Sequence, residues 1–245
     1  MKITTSPIVE NGTRKITTPF SLVRFVIAMT GTAAALIAAV KAATISITKT
    51  HQSYGTGTVM YPKSLFAILE ICSRLSGNSA GIVVNTAGGV ATLTANLNIG
   101  ANGKIVPLQN EEFSIIISAL DADATCDIYT KDENVSRATA AFNFKPYLIN
   151  ADTPTSLDVD DALFIAIPKS GLRSIEVYND NGKFQKLAAE IEADQRNENP
   201  LAGLTDGVVT SGGYDYHTLD VASAKSILVD SSANGNAIAV MVETL

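Results

Sequence analysis

Few side chains in this sequence have the types and spacing that chemistry requires, and a serine between glycines forms the most suggestive pattern. Residues 77–81 read Gly-Asn-Ser-Ala-Gly, and Asp215 and His217 follow later in the chain. The pattern matches the G-x-S-x-G nucleophile elbow of serine hydrolases, which needs a strand before the serine and a helix after it. Here a predicted helix comes first and a predicted strand follows. We therefore interpret the segment as a helix-ending loop and predict no catalytic residue.

Possible metal ligands are sparse and scattered. The two histidines, His51 and His217, lie in polar stretches, whereas zinc sites need three or four ligands at close spacing. Asp158, Asp160 and Asp161 form the densest acidic cluster, and carboxylate oxygens suit calcium. The glycine and the distal glutamate of an EF-hand are absent there. We expect a solvated loop, leave calcium binding open, and predict no metal or cofactor site.

The remaining small motifs have structural explanations. Gly55-Thr56-Gly57 lacks the third glycine of a dinucleotide-binding loop and is predicted to be a turn. Cys72 and Cys126 are far apart and outside any metal-binding spacing. We expect two buried thiols that behave as small apolar side chains, with a single disulfide as the alternative.

Composition limits the classes of partner. The chain has 245 residues, a net charge of −6 and 46% hydrophobic residues, which is enough for a substantial core. Proteins that grip nucleic acid through phosphates need clustered lysine and arginine. The densest basic stretch is Arg14-Lys15, with Arg24 further on. We therefore predict no direct contact with nucleic acid.

The sixteen uncharged residues between Arg24 and Lys41 raise the question of a membrane or export segment. A spanning helix needs about 20 apolar residues. Apolar side chains alternate from Val23 to Met29, which predicts a strand with one face on a core. We favour a folded interior. The alternatives are an export signal, because small residues near Ala43 resemble a cleavage site, and a spanning helix.

Alternation of apolar and polar residues predicts short strands along most of the chain. They cover 13–18, 23–29, 43–50, 81–85, 89–99, 112–118, 124–130, 137–144, 146–150, 162–167, 172–178, 206–210, 215–221, 225–230 and 237–243. The last two flank Asn234-Gly235, a pair suited to a type I′ hairpin turn. The Ala-rich segment 33–43 fits either a short helix or a strand.

Two segments have helical periodicity instead. Residues 61–77 place apolar side chains at steps of three and four, with Pro62 in the first turn and Gly77 at the end. Residues 181–198 repeat the pattern through Phe184, Leu187, Ala188 and Ile191. Each helix is preceded and followed by strands, and the polar segment 131–136 separates the two sets. We predict an N-terminal arm and first domain over 1–132 and a second domain over 133–245.

Each half has room for seven or eight short strands, whose sheet edges must be hidden. A sandwich of two four-stranded sheets is one solution. We therefore predict a mainly β fold of two tandem eight-stranded jelly-roll sandwiches, each with one amphipathic helix.

A family resemblance follows from four segments of the sequence. They are KITTPFSLVRFVIAM near the start, the helix at 62–76, the predicted strand pair IVPLQNEEFSIIIS, and LRSIEVYNDNGKFQKLAAEIEADQ with its expected strand, Asn-Gly turn and helix. Together they resemble the double jelly-roll major capsid proteins of tailless, membrane-containing icosahedral bacteriophages, of the corticovirus type. The resemblance covers nearly the whole chain and rests on topology.

The resemblance implies a structural protein of the virion and no enzyme. In that family three copies form a pseudo-hexagonal trimer, and trimers tile the shell around an internal membrane. The implied partners are two further copies of this chain, neighbouring trimers, and penton or minor capsid proteins. The N-terminal arm, with Lys2, Arg14 and Lys15, is expected to face the membrane, with a solvated arm as the alternative.

A secreted or surface β-sandwich binding module, such as an adhesin or a carbohydrate-binding domain, is the alternative function. Such modules present exposed aromatic side chains to sugars. The sequence has no Trp, and Tyr214 and Tyr216 form the aromatic pair that fits this role.

Overall fold

The computed structural model describes residues 2, 3, 6–75, 82–101, 103–133, 135–191 and 215–244. These residues form sixteen strands and two helices, so the fold is mainly β, as predicted. The chain divides into two units between Ala141 and Phe142, further along than the polar segment 131–136. Each unit contains two four-stranded sheets.

The first unit contains both helices and eight of the strands. Its elements are β1 (Gly12–Ile16), β2 (Leu22–Thr30), α1 (Ala33–Ala42), β3 (Thr44–His51), β4 (Gly55–Ser64), α2 (Leu65–Leu75), β5 (Val83–Ala87), β6 (Val90–Leu97), β7 (Glu111–Ser118) and β8 (Ala124–Lys131). The sheet orders are β1-β7-β3-β4 and β5-β6-β2-β8.

The second unit contains the other eight strands. They are β9 (Ala140–Ile149), β10 (Thr155–Asp158), β11 (Ala162–Pro168), β12 (Leu172–Asn179), β13 (Gly182–Leu187), β14 (Tyr216–Asp220), β15 (Ser226–Ser231) and β16 (Gly235–Thr244). The sheet orders are β10-β15-β12-β13 and β14-β11-β16-β9.

The strands of the second unit pair in a nested pattern. The first strand neighbours the last, β9 beside β16, and successive pairs close inward as β10 with β15, β11 with β14 and β12 with β13. The first unit follows the same pattern: Lys2 and Ile8 bridge to β8, and β1 pairs with β7, β2 with β6 and β3 with β4. Strand β5 is an addition beside β6. The two units therefore share one strand order.

Alternation along the strands forms the cores. In β2, Val23, Phe25 and Ile27 are fully buried, as the sequence predicted. The core of the second unit draws side chains from both of its sheets, including Ile165 of β11 and Ile175 of β12. This arrangement is consistent with a β-sandwich.

The uncharged segment after Arg24 forms two elements. Its first part completes β2, and its Ala-rich part forms α1 between β2 and β3. Thr32 caps the helix, because its Oγ1 accepts a hydrogen bond from the Ala35 N–H at 3.2 Å. No helix among the described residues is long and apolar enough to cross a membrane.

The predicted helix over 181–198 is wrong in its first part. Residues 182–187 form β13, which pairs with β12 from Asn179↔Gly182 to Ser174↔Leu187. A helical turn follows at residues 188–191, and the rest of the predicted helix lies outside the described residues. The apolar spacing fitted a helix, but the turn at Asp180-Asn181 directs the chain back along β12, where a full ladder of hydrogen bonds is available.

The other predicted helix begins later than expected, and most of its described length is buried. It begins at Leu65, and Pro62 lies in β4. All eight residues from Leu65 to Cys72 are buried, because α1 and strands β3, β4 and β6 contact the helix. The first unit thus has two helices where one was predicted. Gly77 lies outside the described residues.

Several turns also differ from the prediction. Gly55-Thr56-Gly57 begins β4, so the turn lies just before it. Asn234-Gly235 joins strands of different sheets, so it is no hairpin turn. The expected strand pair in 105–118 is a single strand, β7, preceded by an isolated bridge between Phe20 and Ile105. The two strands predicted over 137–150 are one, β9. The predicted strand 206–210 lies outside the described residues.

Candidate functional site

The residues of the hydrolase-like pattern do not form a described site. Residues 77–81, with the candidate serine, lie outside the described residues, as does Tyr214. Asp215 precedes β14, and His217 is buried within it, opposite Ile167 of β11. His51 ends β3 and belongs to the other unit.

The acidic cluster lies at the end of β10 and the turn that follows. Asp158 is the last residue of β10, and its Oδ1 accepts a hydrogen bond from the Asp160 N–H at 3.3 Å. The carboxylates of Asp158 and Asp161 help to raise the pKa of Lys145, after the larger effect of its hydrogen bond to Tyr147. Among the described residues, no group of three His, Cys, Asp or Glu is arranged to hold a metal ion.

Both cysteines are free and buried in the first unit, as predicted. Burial raises the pKa of the Cys72 thiol to about 12. Burial, with a smaller effect of the neighbouring Asp127 carboxylate, raises the pKa of Cys126 to about 12. Thiols in such surroundings stay protonated and are poor nucleophiles.

The cations of the N-terminal arm have partners within the first unit. Lys2 Nζ lies 2.7 Å from Asp127 Oδ2, and Lys15 Nζ lies 2.6 Å from Glu112 Oε1. Arg14 donates hydrogen bonds to the carbonyl oxygens of Ser6 and Thr13. Any contact of the arm with anionic lipid therefore competes with these interactions.

Strands β4 and β13 occupy equivalent edge positions in their sheets and carry exposed apolar side chains. Tyr61 on β4, and Phe184 and Leu187 on β13, are all exposed. Proline and lysine on an edge strand oppose the addition of a further strand. Pro62 lies in β4 and Lys183 in β13, so these edges favour contact through side chains over strand pairing.

A cleft of about 580 Å³ opens in the first unit where β3 ends and β7 begins. Its lining comes from Thr17, from Thr50 and Gln52, and from residues 107–112. The Gln52 N–H donates to the Asn110 carbonyl oxygen at 3.1 Å, which ties the β3–β4 turn to the segment before β7. The order β1-β7-β3 thus gathers three distant parts of the chain.

The acidic side chains of the cleft are held in place. Glu111 is buried, its Oε2 accepts from the Leu108 N–H at 2.9 Å, and its Oε1 lies 3.5 Å from Lys49 Nζ. Glu112 pairs with Lys15. Beyond Gln52, at the tip of the same hairpin, the Tyr54 ring is 88% exposed and lies 4.6 Å from the His51 ring. Sequence reasoning missed this cleft, because only the strand order brings its residues together.

Comparisons with known proteins establish no family. No protein-family model matches the chain, and no curated protein matches its sequence. The chain is similar to the major capsid protein of mavirus with a TM-score of 0.36 and 7% identity, covering 100% of this chain and 86% of that one. It is similar to the exported protein XepA of PBSX with a TM-score of 0.24 and 10% identity, covering 99% and 86%.

Hazelnut (Corylus avellana) vicilin matches with a TM-score of 0.24 and 8% identity, covering 96% of this chain and 72% of that one. TM-scores this low do not establish a common fold, and no functional argument rests on them.

Proposed function

We propose that this chain is a structural capsid protein, built from two jelly rolls, that assembles with copies of itself into the shell of a virus. The observation that carries the proposal is the nested pairing in both units: in the second unit the first strand neighbours the last and successive pairs close inward, and in the first unit Lys2 and Ile8 bridge to the last strand. We interpret this pairing as that of a jelly roll, an architecture used by viral capsid proteins, lectins and cupins. Fold alone does not separate these functions.

The presence of two such units in one chain suits a capsid built from trimers. Two units of one strand order in one chain supply six such units in a trimer, which gives the pseudo-hexagonal outline expected from the sequence resemblance. The exposed apolar side chains of β4 and β13 provide contact surface for neighbouring copies. The net charge of −6 suits a shell that lies outside a membrane and does not neutralise packaged nucleic acid.

The proposal includes the partners and location expected from that role. The chain is placed in the virion, as a homotrimer that contacts neighbouring trimers and penton or minor capsid proteins. The N-terminal arm would reach the internal membrane only by releasing the ion pairs of Lys2 and Lys15. No catalytic role is assigned to any residue.

Electron microscopy of the purified full-length chain tests the proposal. We expect particles with six lobes, from three chains of two units each, and shells or sheets of such particles at high protein concentration. Isolated two-lobed particles at every concentration would contradict it. If those monomers also bound a glycan, they would support the alternative of a secreted or surface binding module.

A further inference from the structure

We propose that the cleft of the first unit binds a neutral saccharide. This inference does not depend on the capsid role, because it rests on the chemistry of the cleft alone. The volume of about 580 Å³ lies within the range of small-molecule sites and is large enough for one or two sugar rings.

The cleft offers hydrogen-bonding groups of the kind that sugar hydroxyls require. The side-chain amides of Gln52, Gln109 and Asn110 line it, and none of them is hydrogen-bonded to another described residue. Each amide has both a donor and an acceptor, so it can match a hydroxyl group in either role. Three such groups around one cleft can fix the orientation of a ring.

Hydrogen bonds fix the backbone of the two segments that line the cleft, the β3–β4 turn and residues 107–112. The backbone hydrogen bond from Gln52 to Asn110 joins the two sides, and the bond from the Leu108 N–H to Glu111 Oε2 fixes the segment before β7. Walls whose backbone is already fixed avoid much of the entropic cost of ordering loops on binding. This matters for saccharides, because each of their hydrogen bonds only replaces one made to water.

One apolar side chain of the lining and one aromatic ring on the adjoining turn suit the C–H face of a sugar ring. Leu108 is exposed in the lining, and the Tyr54 ring stands at the tip of the hairpin that carries Gln52. The His51 ring, 4.6 Å away, supports the tyrosine. A tyrosine offers an apolar ring and a polar hydroxyl, and a sugar has both an apolar C–H face and polar hydroxyl groups.

Charge indicates a neutral ligand. Glu111 and Glu112 line the cleft, but Lys49 and Lys15 lie 3.5 Å and 2.6 Å from their carboxylate oxygens. The site therefore has no unpaired charge to attract an anionic sugar or a free cation. An acidic saccharide would gain no ion pair and would meet two carboxylates.

The test is saturation-transfer NMR and calorimetry on the full-length chain. The probes are methyl α-mannoside, methyl β-galactoside and N-acetylglucosamine, with sialic acid as the acidic probe. We expect at least one neutral probe to bind, and sialic acid to bind more weakly. Gln109→Ala and Tyr54→Ala should each lower the affinity about five-fold or more, as expected when about 1 kcal/mol of a polar or ring contact is lost.

Two matched variants serve as controls. Tyr61→Ala removes another exposed tyrosine of the same hairpin, and Gln185→Ala removes an exposed glutamine of the second unit. Both should leave the affinity unchanged, and circular dichroism should show that all four variants are folded.

Three results would overturn the inference: no neutral probe bound at high millimolar concentration, affinity unchanged in both Gln109→Ala and Tyr54→Ala, or stronger binding of sialic acid. The proposed capsid role fails separately, through the particle shape, so the two failures are distinguishable.

Discussion

At the scale of single residues, burial decides which side chains can react. Cys72 and Cys126 are the chain's two thiols, and both lie in the core of the first unit. Their pKa values of about 12 leave almost no thiolate at neutral pH. The thiols therefore pack in the core of the folded protein, where they react slowly with oxidants and disulfides.

This gives a direct prediction for thiol reactivity. The native protein should release no thionitrobenzoate from Ellman's reagent at pH 8 within minutes, and the protein in 6 M guanidinium should release the amount expected for both thiols. Absorbance at 412 nm measures this. A thiol that reacts rapidly in the native state would contradict the burial described here.

The second residue-scale prediction concerns the β12–β13 hairpin. The Tyr178 hydroxyl, 2.6 Å from Glu176 Oε2, and the Lys183 ammonium, 3.3 Å away, hold the pKa of Glu176 below its ordinary value. Because the folded-state pKa is lowered, this stabilisation is present above the unfolded-state pKa near 4.5 and is lost as the pH falls through the folded-state value.

Thermal melts between pH 7 and pH 3 check this expectation. The melting temperature of the wild-type protein should fall more steeply with acidification than that of Glu176→Gln, which has no carboxylate to protonate. Equal slopes would show that the hydrogen bonds to Glu176 contribute nothing to stability. The effect should be small, because exposed ion pairs are screened by water and salt.

At the scale of elements, two turns of the second unit pack closely against each other. Gly171, between β11 and β12, has a φ of +74°, and a Cβ there would lie 2.7 Å from Ala233 Cβ. Its carbonyl oxygen also accepts the Ser232 N–H at 2.8 Å. The turn therefore packs directly on the link between β15 and β16.

Gly171→Ala should destabilise the protein by about 1–3 kcal/mol, through the left-handed backbone and the clash together. Gly57→Ala is the matched control, because a Cβ at Gly57 meets nothing within 4 Å and its φ is ordinary. It should change stability by less than about 0.5 kcal/mol. Urea midpoints at constant m-value measure both, and equal midpoints would refute the packing argument.

The sequence predicts a strand correctly where its alternation of apolar and polar residues agrees with the strand pairing of the fold. Strands such as β2, β8 and β12 were predicted because one face is buried and alternation is clear. Strand β13 was mistaken for a helix, since the spacing of Phe184, Leu187 and Ile191 fits a helical face. Its pairing with β12 outweighs that local preference.

Strands β4 and β10 were missed because neither alternates clearly: β4 contains glycines and Pro62, and β10 has four residues. The cleft could not be predicted at all. Its residues come from segments near 17, 50 and 110, which are adjacent only because β1, β7 and β3 are neighbours.

At the scale of the whole molecule, charge should govern association. Each copy carries a net charge of −6, so copies repel one another at low ionic strength. Raising sodium chloride from about 50 mM to about 500 mM shortens the Debye length from roughly 14 Å to roughly 4 Å. We expect the fraction of associated chains to rise over this range, as measured by sedimentation velocity. A fall would indicate that ion pairs between copies dominate.

We propose that this chain associates with copies of itself in threes. Light scattering coupled to size exclusion tests it most directly, with the full-length protein over a wide range of micromolar concentrations. We expect a species of about 77 kDa, three times the 25.7 kDa chain. A single species of 25.7 kDa at every concentration and salt level would contradict it.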